Sequence, residues 1–79
     1  MEAERRYAEL ANRETELAEA ELERSRSAWL YALSQESDGM RDHFTRVAAQ
    51  ARFAWLHHQE RARHFEDLAE RAARIKTVG

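Results

Sequence analysis

Cysteine and proline are both absent from this 79-residue chain, and glycine occurs only at Gly39 and Gly79. Without cysteine there are no disulfides and no thiolate metal sites, and the redox compartment is unreadable. Without proline, the strongest breaker of helices is missing. No apolar run approaches the roughly 18 residues that a membrane span needs. The first residues are acidic and lack the basic and apolar regions of a signal peptide. An excess of one charge is also lacking: 35% of residues are charged, yet the net charge is −2. That balance argues against general affinity for nucleic acid or an anionic membrane. These absences predict a soluble, cytoplasmic protein. Arginine outnumbers lysine twelve to one, a bias that points to a GC-rich, bacterial genome and not to a mechanism.

What remains is rich in Ala, Glu, Arg, Leu and Gln, the residues held most cheaply in a helix. Gly39 stands near the midpoint, and Gln35-Glu36-Ser37-Asp38 before it contains nothing apolar. The pattern predicts an all-α fold, an antiparallel two-helix hairpin forming one domain over 1–79. Helix 1 is expected over about 3–36, the turn over 37–39 and helix 2 over 40–76. Gly39 is expected to end helix 1 in the left-handed conformation, with Ser37 or Asp38 capping helix 2. The competing arrangement is one continuous rod of about 110 Å.

In the second half, Met40, Phe44, Val47, Ala51, Ala54, His58, Arg61, Phe65, Leu68, Ala72 and Ile75 follow alternating steps of three and four. Together they make a seam along one helical face, widened by Ala48, Trp55, Ala62 and Ala69. The first half is less regular, because Glu14, Glu21 and Arg24 interrupt its heptads. An eleven-residue thread through Tyr7, Ala11, Ala18, Leu22, Trp29 and Leu33 fits it better. Folding at Gly39 then sets Leu22 against Trp55, Trp29 against Ala48, and Leu33 against Phe44. Residues 1–40 carry five basic and ten acidic side chains, and residues 41–79 carry eight and five. That asymmetry favours the antiparallel arrangement, laying Glu14 to Glu23 beside Arg52, Arg61 and Arg63.

Two helices cover only one stripe of each other, and 79 residues is near the size at which a lone core is marginal. The expected function is therefore a non-enzymatic protein–protein interaction module, completed to a four-helix bundle by homodimerisation or docked on another protein. The expected interface residues are Tyr7, Trp29, Leu30, Tyr31, Phe53, Trp55 and Phe65. Leu30 and Phe53 are placed on flanks where a partner helix would lie. No catalytic residue, cofactor, resident metal or small-molecule substrate is predicted.

Three polar constellations compete with that reading. His57, Glu60 and His64 lie on one helical face at i, i+3 and i+7, near Glu16 or Glu19 of the folded helix 1, a set able to hold a divalent cation. His58 interrupts the seam, either as a core histidine hydrogen-bonded to a helix-1 glutamate or as a polar device fixing register. Its protonation would then disfavour the packed state. Arg41, Arg52, Arg63 and Arg74, spaced by eleven, could meet phosphates, although acidic neighbours dilute the stripe.

Ser34-Gln35-Glu36-Ser37-Asp38 resembles the Ser-Gln-Glu-Leu-Asp signature of the small sporulation-regulatory aspartyl-phosphate phosphatases, which are also two-helix hairpins. The likeness spans five residues and has Ser37 in place of leucine. It implies action on a phosphorylated response regulator through Gln35, Glu36 and Asp38. The length and architecture are also similar to small secreted helical hairpins with a Trp-x-Gly turn, but Trp29-Leu30-Tyr31 has no glycine.

Overall fold

The computed structural model describes the backbone of residues 2–78 and the side chains up to residue 75. Two helices fill it: α1, Glu2–Ser34, and α2, Asp38–Val78. They pack side by side as an antiparallel hairpin whose Cα atoms extend 64 × 12 × 11 Å. That length rules out the single rod.

The turn is three residues, 35–37, and it lies earlier than the sequence suggests. Gly39 sits inside the first turn of α2 and has no positive φ, so it caps nothing. The polar residues do that work. Ser37 Oγ accepts from the Met40 amide at 3.5 Å, the geometry of an N-cap serine reaching the third helical residue. The Arg41 amide donates to the Ser37 carbonyl at 3.0 Å. Asp38 places a carboxylate at the positive end of the α2 dipole. Arg41 fastens the link, donating to the Gln35 carbonyl at 3.0 Å and to Asp38 Oδ1 at 3.3 Å.

The interior is made of small side chains. The buried apolar residues are Ala11, Ala18, Ala28 and Ala32 of α1 with Ala48, Ala51 and Ala62 of α2. In α1 the seam runs Ala11, Glu14, Ala18, Glu21, Ser25, Ala28, Ala32, strict steps of three and four with Glu21 half-buried. Glu14 and Glu21, read from the sequence as interruptions, belong to it, and Glu14 and Ser25 are buried. The eleven-residue thread fails beyond Leu22: Trp29 and Leu33 are 51% and 77% exposed. Alanine leaves no room for them, since small residues draw the two backbones together and close the space a large ring would need. Ser25 instead faces Ala48, its hydroxyl donating to the Ala48 carbonyl at 3.1 Å. Phe44 stacks on Tyr31, with ring centroids 5.5 Å apart, and not on Leu33.

In α2 the expected seam and its widening residues, apart from the exposed Arg61, coincide with the inward side from Phe44 to Ala72. Met40 and Ile75, at its two ends, are exposed.

Candidate interaction surfaces and the buried polar cluster

Four large apolar residues fan out from the last two turns of α1: Trp29, Leu30, Tyr31 and Leu33 are each more than half exposed. The reason is phase. Ala28 and Ala32 occupy the inward positions, so the residues between and after them point elsewhere. Leu30 lies two residues from each, about 200° around the helix, on the outermost line of α1. Phe53, two residues past buried Ala51, is likewise outermost on α2 and 73% exposed. Neither lies on the flanks assigned to it from the sequence. Tyr7, Trp55 and Phe65 are half-buried along the seam.

The remaining apolar residues divide between the hairpin's two broad sides. One side carries a groove bordered by Ala18 and Leu22 from α1 and by Trp55, Gln59 and Ala62 from α2, with Glu19, Arg63 and Glu66 at its edges. Trp29 continues the Thr15–Leu22 line at heptad spacing, so it lies on this side too. Arg52 lies over the Trp55 ring here, 4.5 Å from its centroid. The opposite side carries the Tyr31–Phe44 stack and, at heptad spacing from Tyr31, Leu17 and Leu10. Beside them α2 presents Met40, Val47, Ala54, Leu68 and Ile75, a column broken only by Arg61. Leu17 and Met40 are 41% and 45% exposed, and Val47, Ala54 and Leu68 are half-buried.

Within the seam, Glu14 is 9% exposed. His58 Nδ1 donates to its Oε2 at 2.6 Å, and Arg61 Nε donates to its Oε1 at 2.9 Å. Burial by itself raises the Glu14 pKa. The hydrogen bonds from His58 and Arg61 and the Coulombic pull of both outweigh that, holding the carboxyl below its ordinary 4.5. Among the described residues, Glu14 makes the salt bridges that cross between the helices; the others join neighbours within one helix or its first turn. His58 is thus the core histidine bound to a helix-1 glutamate. Its Nδ1–H faces the Glu14 carboxylate across the seam.

The other polar constellations are laid out differently. His57, Glu60 and His64 border a shallow surface depression together with Arg61 and Phe65. Among the described residues, no three of His, Cys, Asp and Glu gather closely enough to hold a metal ion. Three of the four arginines spaced by eleven are occupied: Arg41 on Asp38, Arg52 on Trp55, and Arg74 on Glu70 at 3.3 Å. Arg63 borders the groove. The Ser-Gln-Glu-x-Asp stretch is split between the end of α1, the link and the start of α2. Its Asp38 carboxylate is 94% exposed and paired with Arg41, while Ser34 Oγ donates to the Tyr31 carbonyl at 2.9 Å. Among the described residues no helix is long and apolar enough to cross a membrane.

No family model, curated protein or solved structure matches the chain.

Proposed function

We propose that this chain is a non-enzymatic protein–protein interaction module, a helical hairpin that completes its apolar core by associating with a second copy. One observation carries the reading. Among the described residues, no Trp, Tyr, Phe, Leu, Ile, Val or Met is buried; the interior is seven alanines, Ser25 and Glu14. Alanine supplies the least apolar area of any core residue, and burial is the main favourable term in folding. The large side chains are at best half-buried, and Trp29, Leu30, Tyr31, Leu33, Phe53 and Ile75 are more than half exposed, contributing little until something covers them.

Melting followed by circular dichroism tests this directly. If the folded state includes a second copy, mass action makes the midpoint rise with protein concentration. A hundredfold dilution should lower it by several degrees. A midpoint independent of concentration, with a sharp transition, would show that the hairpin is complete alone.

A further inference from the structure

We infer that the second copy seats on the broad side bearing Leu17, Tyr31, Met40, Val47 and Leu68, turned end for end about a twofold axis through Ala54. This deepens the self-association reading and rests on it.

Apolar content favours this side over the opposite one, whose groove is edged by Glu19, Gln59, Arg63 and Glu66. This side also has sufficient area. It runs the 64 Å length of the hairpin. Two helices each about 10–12 Å across give a footprint of roughly 1,200 Å² per copy. A standard interface needs about 800 Å² from each partner. The Trp29–Leu30–Leu33 cluster is confined to the turn end, and three side chains of that size offer roughly 400 Å² at most. It cannot by itself hold two chains together.

Shape sets the axis. Ser25 on Ala48 and Glu14 on His58 fix which residues share a level along the hairpin. By that alignment Ala20 and Ala54, both alanine, stand together at its middle on this side. Small residues let two helix pairs approach most closely, so the crossing point belongs there. Running outward from it, Leu10 meets Tyr31 of the second copy, and Met40 meets its Leu68.

Charge sets the direction. Arg6 and Arg13 edge this side on α1 near the open end, and Arg71 edges it on α2 at the same end. If the two copies pointed the same way, Arg6 and Arg13 would face the second copy's Arg71 and His64. Turned end for end in that register, Arg6 and Arg71 lie over the second copy's turn, where Glu36 and Asp38 are exposed, while Arg13 lies two helical turns short of it. The one carboxylate half-buried at the border, Glu21, then comes beside Arg24 of the second copy. Arg61, which breaks the α2 column, is already satisfied by Glu14 at 2.9 Å. An isologous interface is self-complementary, and opposite charges meeting across its twofold axis favour this orientation over the other.

The absence of native cysteine makes single-cysteine variants a clean test. Under mild oxidation, Ala54→Cys should give a covalent dimer in more than half of the chains. Ala49→Cys, exposed on the opposite broad side, should stay at least tenfold less cross-linked. Leu17→Glu should lower the sedimenting mass to one chain with helix content kept, whereas Leu33→Glu should leave it unchanged. A wild-type dimer whose Ala54→Cys variant fails to cross-link, or cross-links no better than Ala49→Cys, overturns this face while leaving self-association standing. A wild-type monomer at 100 µM with a cooperative melt overturns both.

Discussion

Glu14→Ala removes the acceptor that joins His58 and Arg61 across the seam. Each of the two bonds involves an ionised group, and such bonds contribute about 1.5–3 kcal/mol when buried. The geometry calls for a discount. The Glu14 side chain is 12% exposed, but His58 is 24% and Arg61 51% exposed, so both partners regain water when the carboxylate goes. We expect a net loss of about 2 kcal/mol, which lowers the melting midpoint of a domain this small by about 8–16 °C. The control is Glu16→Ala, two residues along and exposed, where the change should stay within about 0.5 kcal/mol. The pH profile carries a second signature. Glu14 has a lower pKa folded than unfolded, so the folded state binds fewer protons there. Its contribution is therefore fully present above 4.5 and is lost as the pH falls through the lowered folded value. Urea melts of both variants at fixed protein concentration, from neutral to acid pH, measure this. An effect of Glu14→Ala no larger than that of Glu16→Ala would refute the reasoning. So would a gap between wild type and variant that widens as the pH falls below 4.5.

The alanine seam should resist enlargement: Ala48→Leu, at a position with 0% exposure, should cost about 1–3 kcal/mol by forcing the helices apart, measured by chemical denaturation. Gly39→Ala should stabilise by about 0.5–1 kcal/mol. Gly39 is helical without positive φ, and an added Cβ would meet only Ser37 Oγ, at 3.8 Å; a loss of stability would restore its role as a cap. Ser37→Ala should cost about 0.5–1 kcal/mol by removing the N-cap acceptor, toward the low end because the bond is 3.5 Å long. Phe53→Ala, outermost on α2, should leave both the midpoint within about 0.5 kcal/mol and the sedimenting mass unchanged.

The helical class and the reversal were legible because they rest on composition and on one polar gap, both local signals. The inward side of α2 was legible too, since its alternation of threes and fours is carried mostly by apolar residues. The α1 seam was hidden because two of its buried positions, Glu14 and Ser25, are polar. Each is satisfied only by a residue from the other helix, His58 and Arg61 for one and the Ala48 carbonyl for the other. Pattern reading treats such residues as breaks and follows the large side chains, here Trp29 and Leu33, onto the wrong face. Gly39 misled in the same way. A glycine between two helices suggests a left-handed cap, but Ser37 and Arg41 already hold the backbone groups that need partners. The pairing of His58 with a helix-1 glutamate was foreseen in kind; which glutamate depended on a register that only the packed seam supplies.

The claim on which the rest depends is that an alanine interior leaves this hairpin unfinished until a second chain covers its large apolar side chains. Sedimentation equilibrium on the untagged protein at 10–100 µM tests it most directly. The account predicts a mass of two 9.3 kDa chains that falls toward one on dilution, with the melting midpoint falling alongside. A single-chain mass throughout that range, with full helicity, would contradict it.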